Sequence, residues 1–200
     1  MNFLTEISPL IKTIELKQEP VIIVVNEFNE EAATEFSTAM SLAQNTGQKV
    51  IPVVIDSYGG QVYSLMSMIS SIKSSTIPVA TIVQGKAMSC GAILSSFGSE
   101  GLRFMDKDAT MMIHDVSSYA FGKIEELKAD AREADRLNKK VYTMMARNCG
   151  KPDEYFSNLI HDKGHADWFL DAEEAKEHCI IHQIRVPHLK ASVVVEIDME

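Results

Sequence analysis

The sequence predicts an α/β domain built from repeated βαβ units, and two observations support this class. Three apolar, β-branched runs begin at Val21, Val50 and Val79, at a regular interval of 29 residues. Each interval also contains a helical pattern. Parallel strands need a crossover connection of about a dozen residues or more, usually a helix, so this spacing is typical of a parallel sheet.

The first half of the chain supplies three predicted strands and two helices. The strands are residues 21–25, 50–55 and 79–83. Apolar residues recur at helical spacing between them, first at Ala32, Phe36, Met40 and Ala43, then at Val62, Leu65, Met66, Ile69 and Ile72. Gly47 is expected to end the first helix. Pro52 removes a ladder donor, so the second strand is expected to be bulged or only partly paired.

The second half predicts a long helix. After a short apolar helix near residues 92–94 and strands at 102–105 and 110–114, residues 122–148 contain no proline and no internal glycine. Apolar side chains recur there at three- and four-residue steps. This length exceeds what a small domain needs, and periodicity alone leaves two interpretations equal: a contact with another subunit, or packing on its own domain. Asp171 and Glu174 have capping-box spacing for a later helix, and residues 191–197 are strand-like.

Composition excludes several classes of function. The 200 residues fit one domain with no linker, and the net charge of −9 disfavours nucleic acids and anionic membranes as partners. No signal peptide and no apolar run of membrane-spanning length are found, so we expect a soluble, cytoplasmic protein. The three cysteines are widely spaced without a Cys-x-x-Cys pair, which favours a reducing compartment over a disulfide framework or zinc ribbon.

No cofactor and no metal are predicted. Two histidine pairs have metal-compatible spacing, His161 with His165 and His178 with His182. Gly164 interrupts the first pair, and neither pair has the His-Glu-x-x-His form of zinc peptidases.

One serine stands where a nucleophile would be expected. Ser89 lies among small residues, in the segment Gly85-Lys86-Ala87-Met88-Ser89-Cys90-Gly91, directly after an apolar strand. A serine hydroxyl attacks a carbonyl only when it is held on a sharp turn with free N–H groups and a base nearby. The alternative is a packing loop in which Ser89 caps the following helix.

The partners that such a serine needs are also present. His114 ends a predicted strand and is a candidate base, with Asp115 beside it as one orienting acid. The glycine pair Gly59-Gly60 follows the second strand, where backbone N–H groups could face an oxyanion. The alternatives are a strand-end histidine satisfied by backbone and a simple tight turn.

Together these blocks resemble the ClpP family of serine peptidases, on the fold shared with the crotonases. The blocks are residues 55–60, 85–91, 112–114 and 167–175, and the match covers about residues 20–184. The resemblance implies ClpP/crotonase-type βαβ units with a protruding long helix, in one peptidase domain over residues 1–200.

The resemblance also implies roles for individual residues. Ser89 would be the nucleophile, His114 the general base and Asp167 the acid that orients the imidazole. The backbone N–H groups of Gly60 and Cys90 would form the oxyanion hole. An extended peptide substrate would lie beside Gln61 and Val62 as an added strand.

The resemblance further implies a homo-oligomer of stacked rings, most simply a tetradecamer, in which the long helix joins the rings around an enclosed chamber. Of the two interpretations of the long helix, the resemblance therefore favours a contact with another subunit. An AAA+ ATPase is the partner of such rings, and its docking is left open because the segment before Val21 is shorter than in typical members. A compact, virus-encoded member would have the same features.

Several positions differ from the family pattern. Tyr58 replaces a proline, Cys90 a methionine, and Asp115-Val116 a Gln-Pro pair. Because the stretch before Asp167 is longer than usual, Asp162 is an alternative acid. Three rival functions stay open: a crotonase-like acyl-CoA enzyme, a non-catalytic ring subunit, and a peptidase that uses Cys90 as nucleophile or Lys86 as base.

Overall fold

A mostly parallel sheet forms the centre of the computed structural model, which describes residues 19–117 and 121–190. The strands in these ranges are β1 (Ile23–Val25), β2 (Ile51–Ser57), β3 (Val79–Met88), β4 (Arg103–Met105), β5 (Thr110–Ile113), β6 (Trp168–Leu170) and β7 (Gln183–Ile184). The helices are α1 (Glu30–Asn45), α2 (Val62–Lys73), α3 (Cys90–Ser95), α4 (Ile124–Asn148), α5 (Tyr155–Asp162) and α6 (Ala172–Glu177). The strand predicted at residues 191–197 lies outside the described residues.

The predicted α/β class and the strand–helix rhythm are confirmed. Strands β1, β2, β3, β4 and β7 lie side by side in that order, all parallel. Helix α1 begins after Asn29, whose side chain accepts a hydrogen bond from the Ala32 N–H, and it ends before Gly47. Alternate residues of β1, β2 and β3 enter the main core with the apolar faces of α1, α2 and α3, while Ala80, Ile82 and Phe104 form a smaller cluster.

Strand β3 is longer than predicted and changes partners along its length. Residues 81–83 pair with β4, whereas Lys86, Ala87 and Met88 pair with β5. Gly85, with φ of 75°, lies between these two stretches and permits the backbone to bend there. The segment that the sequence suggested as a turn is therefore strand as far as Met88, and the turn itself is confined to Ser89.

The irregularity predicted in the second strand is present at a different place. Pro52 is opposite Ala80 of β3, and the pairing of β2 with β1 begins one residue later at Val53. The register of β2 against β3 shifts between Ile55 and Ser57, so the bulge lies just before the glycine pair. A bulge turns the strand end locally, and here it redirects the chain toward the Ser89 turn.

The long helix is confirmed as α4, and its fully buried residues all lie in its second half. Its buried residues are Leu137, Val141, Tyr142, Met145 and Ala146. In the first half, Ile124 is 70% exposed and Leu127 is also exposed. No helix in the described ranges is long and apolar enough to cross a membrane.

Among the elements after α4, helix α5 and strand β6 were not predicted from the sequence. Helix α5 packs on α4 through Phe156 and Ile160, and strand β6 pairs antiparallel with β5. Each has few residues, so neither provides enough repeats for a periodic pattern. The capping box at Asp171 and Glu174 is present at the start of α6, as predicted.

Candidate active site

The backbone of Ser89 adopts a rare conformation at the junction of β3 and α3. Its φ is 53° and its ψ is −117°, and its side chain makes no capping hydrogen bond to the helix. Such a conformation is costly for a residue with a Cβ and is found most often at functional sites. The Ser89 N–H donates to the carbonyl of Met112 at 2.8 Å, which ties the turn to β5. The capping role considered as an alternative for this hydroxyl is therefore not observed.

His114 directly follows β5, the strand to which the Ser89 turn is tied. Because β3 and β5 are parallel, with Met88 opposite Met112, their carboxyl ends meet at one edge of the sheet. Ser89 is the first residue beyond β3 at that edge, and His114 is the first residue beyond β5. The His114 side chain is half-buried.

The pairing of β5 with β6 places Asp167 beside His114. Ile113 is opposite Trp168 in this antiparallel pair, and one further step of the register matches His114 with Asp167. Asp167 Oδ1 lies 3.9 Å from His114 Nδ1, close enough for an ionic contact but longer than a hydrogen bond. The Asp167 side chain is 56% exposed.

The two alternative acids have other partners. Asp115 Oδ1 accepts a hydrogen bond from the Tyr142 hydroxyl at 3.2 Å, and Asp115 Oδ2 lies 2.7 Å from His165 Nδ1. Asp162 is the last residue of α5 and lies 3.7 Å from His161 Nδ1. Of the three acids, Asp167 is the one with an ionic contact to His114 within the described residues.

The glycine pair packs directly against the Ser89 turn. Gly59 has φ of +100°, and a Cβ placed on it would lie 2.8 Å from the Ser89 Cβ and 2.9 Å from the Met88 carbonyl oxygen. The Gly59 N–H donates to the buried Ser57 hydroxyl at 3.1 Å, which holds the turn. A side chain at this position would displace the serine, so the close approach itself requires glycine.

Cys90 is in direct contact with Gly60, the other residue whose N–H group is a candidate for the oxyanion hole. Its thiol donates to the Gly60 carbonyl at 3.2 Å, and its N–H opens α3, where the first N–H groups have no acceptor within the helix. Gly60 lies against Phe28, whose carbonyl accepts from the Gln61 N–H at 2.7 Å. Gln61 is exposed and Val62 partly exposed at the start of α2, next to these groups.

The electrostatics disfavour Cys90 and Lys86 as the reactive groups. Cys90 is 1% exposed, and burial raises the pKa of its thiol to about 11, so little thiolate forms near neutrality. Lys86 Nζ lies 2.7 Å from Asp56 Oδ1, and this hydrogen bond raises the pKa of the lysine. A lysine that acts as a base needs a lowered pKa instead.

Neither histidine pair belongs to a cluster of metal-ligating side chains in the part of the chain that the structure describes. In residues 19–117 and 121–190 no three His, Cys, Asp or Glu side chains are grouped as a metal site would require. Helix α5 ends at Asp162, and His165 has φ of 59°, so His161 and His165 do not share a helical face. Their rings meet edge to face at 5.5 Å.

Two neighbours of this site were not singled out from the sequence. Tyr142 has the pattern of a core residue of α4, and His165 was considered only in a metal pair, yet both contact Asp115. Since these residues are far apart in the chain, no local spacing could have indicated the contacts.

Comparison with known families identifies the family of this chain. A family model described as Clp protease matches residues 10–188, which is most of the chain and includes every residue of the site described above. Membership of that family makes peptidase activity the general expectation. The chain belongs to the Clp protease family.

Proposed function

We propose that this protein is a serine endopeptidase in which Ser89 is the nucleophile, His114 the general base and Asp167 the orienting acid. The observation that carries the proposal is the geometry at one sheet edge. There a strained serine turn, a strand-end histidine and an aspartate in register with that histidine converge. The three residues come from separate parts of the chain, so a local packing requirement does not account for all of them.

In the proposed mechanism, His114 takes the Ser89 hydroxyl proton as the oxygen attacks the substrate carbonyl. The N–H groups of Gly60 and Cys90 stabilise the negative charge that develops on the carbonyl oxygen. The proton then passes from His114 to the leaving amine, and the C–N bond breaks to give an acyl-enzyme. Water, activated by His114, hydrolyses the ester and restores Ser89.

Asp167 would stabilise the imidazolium and hold its ring. Its present 3.9 Å distance to His114 must shorten to hydrogen-bond length for full effect. Catalytic hydrogen bonds are often long without substrate and tighten when it binds.

The proposed substrate is an extended peptide from an unfolded protein. Gln61 is exposed and Val62 partly exposed beside the glycine pair, and this accessibility supports binding of the peptide there as an added strand. The proposed assembly is a homo-oligomer of stacked rings enclosing the active sites, most simply a tetradecamer of single-domain subunits. Exposed apolar residues on the first half of α4 support this, because an apolar stripe in water is typical of an interface.

A fluorophosphonate probe tests the chemistry, because it reacts with activated serines. The assembled protein should be labelled, and labelling should be lost in Ser89→Ala and strongly reduced in His114→Ala. Cys90→Ala and Lys86→Ala should keep most of the labelling and the peptide hydrolysis. Labelling that survives Ser89→Ala would refute the proposed nucleophile.

The other outcomes identify the rivals. Absence of labelling together with hydrolysis of an acyl-CoA thioester would favour the crotonase-like enzyme, and absence of both would favour a non-catalytic ring subunit. Native mass spectrometry, with and without an AAA+ ATPase, tests the assembly. A monomer under all conditions would contradict the chamber.

A further inference from the structure

The loop that follows His114 is fastened to α4 at two points. The Val116 N–H donates to Asn138 Oδ1 at 2.6 Å, and the Tyr142 hydroxyl donates to Asp115 Oδ1 at 3.2 Å. Asn138 and Tyr142 are four residues apart and therefore lie on the same helical face. The backbone next to His114 is thus held by the buried half of the long helix.

The same aspartate reaches the segment that carries Asp167. Asp115 Oδ2 lies 2.7 Å from His165 Nδ1, and His165 is two residues before Asp167. The last regular pair of β5 and β6 is Ile113 with Trp168. The contact between Asp115 and His165 therefore joins the segment after β5 to the segment before β6, just beyond the end of their pairing.

We propose that Asp115 and His165 are positioning residues that hold Asp167 against His114. The inference rests on the proposed function, in which Asp167 orients His114. Asp115 is chain neighbour to the base and His165 is close to the acid, so their contact limits how far the base and the acid can separate.

Asp167 needs such support because its side chain is mostly exposed and little of the surrounding protein holds it in place. Its side chain is 56% exposed, whereas that of Asp115 is 30% exposed. His165 also keeps a backbone φ of 59°, which is unfavourable for a residue with a side chain. The turn at Gly164 and His165 is closed by backbone hydrogen bonds to His161 and Ile160, but these fasten it only to α5.

The carboxylate of Asp115 has its polar contacts with residues other than His114. Burial and the neighbouring Asp115 carboxylate raise the pKa of Tyr142 well above its usual range, so the phenol remains a hydrogen-bond donor. With one oxygen accepting from Tyr142 and the other facing His165, Asp115 does not compete with Asp167 for the imidazole.

The test combines two variants with a matched control. Asp115→Asn keeps the shape and removes the charge, while His165→Gly removes the imidazole at a backbone conformation that glycine tolerates. His188→Ala is the control, because it removes an exposed imidazole from the segment after β7, whereas the His161 ring packs on the His165 ring. Peptide hydrolysis gives kcat and KM, and the fluorophosphonate gives the reactivity of Ser89.

We expect kcat to fall on the order of tenfold in Asp115→Asn and His165→Gly, with KM little changed, as for a small misplacement of a catalytic group. His188→Ala should match the wild type. In an Asp167→Ala background, Asp115→Asn should cause no further loss of kcat, because the group that it positions is absent.

Two results overturn the inference while leaving the proposed function intact. One is wild-type kcat in both Asp115→Asn and His165→Gly. The other is an equal loss of kcat from Asp115→Asn with and without Asp167, which indicates a general structural role. Failure of the wild type to label at Ser89 would overturn the proposed function and this inference with it.

Discussion

Replacement of Gly59 by alanine is the sharpest test of how the glycine pair supports the serine turn. The added methyl would lie 2.8 Å from the Ser89 Cβ, 2.9 Å from the Met88 carbonyl oxygen and 3.3 Å from the Cys90 nitrogen. Two of these three groups are backbone atoms, which cannot move aside as a flexible side chain can. The substitution must therefore displace either the glycine pair or the turn itself.

Gly59→Ala is expected to reduce both the stability of the protein and the reactivity of Ser89. A φ of +100° costs a residue with a Cβ about 1–3 kcal/mol, which for a domain of this size lowers Tm by roughly 2–12 °C. Relief of the carbon–carbon contact, which is normally about 3.8 Å, moves Ser89 by about 1 Å. A misplacement of that size costs on the order of a hundredfold in rate.

The assay is the rate of fluorophosphonate labelling, measured beside the thermal unfolding of the same sample. Gly101→Ala is the control, since Gly101 has φ of +76° and no atom lies within 4 Å of the point that an added Cβ would occupy. We expect Gly101→Ala to lower Tm and keep the wild-type labelling rate, and Gly59→Ala to lower both. A Gly59→Ala protein that is labelled at the wild-type rate would refute the argument.

Three further predictions concern the acid, a buried arginine and pH. Asp167→Asn should reduce kcat/KM for a peptide by about 10³-fold or more, because the amide no longer stabilises the imidazolium, whereas Asp162→Asn should change it little. Arg103→Met should lower the free energy of unfolding in urea by about 2–4 kcal/mol, because the guanidinium of this buried residue donates to the carbonyls at the ends of α3 and α4. Burial lowers the pKa of His178 and His182, so the unfolded chain binds protons more readily, and Tm should fall as pH drops below about 6.5.

Each of these has a result that contradicts it. Equal losses in the two aspartate variants would remove the distinction between the acids. Lys107→Met changes an exposed position and serves as the comparison. If the urea midpoint of Arg103→Met is no lower than that of Lys107→Met, the hydrogen bonds from Arg103 to the two helix ends contribute nothing to stability. A Tm that is constant between pH 7.5 and 5.5 would contradict the assignment of neutral, partly buried imidazoles.

The sequence alone was sufficient for the class of fold and for most of its elements. Apolar runs at regular intervals predicted β1, β2 and the start of β3, and uninterrupted periodicity predicted α4, because burial of one or both faces leaves a repeating pattern in the chain. The capping box at Asp171 and Glu174 was also predictable from the sequence, because it depends only on residues three positions apart. Ser89 and His114 could be named as candidates because strand ends and small-residue turns are local features.

The partners of these residues depend on the tertiary structure. Strand β6 has three residues, too few for a pattern, yet its register with β5 decides that Asp167 rather than Asp162 lies beside His114. Similarly, Gly85 looked like part of a loop, whereas it is the point where β3 changes partners.

The contacts of Asp115 illustrate the same limit. Its carboxylate meets Tyr142, 27 residues away, and His165, 50 residues away, in the folded chain. A sequence therefore specifies which segments become strands, helices and turns, since periodicity and backbone preference are local. Which side chains meet at the edge of the sheet follows from strand register and bulges, which form only when the strands pair.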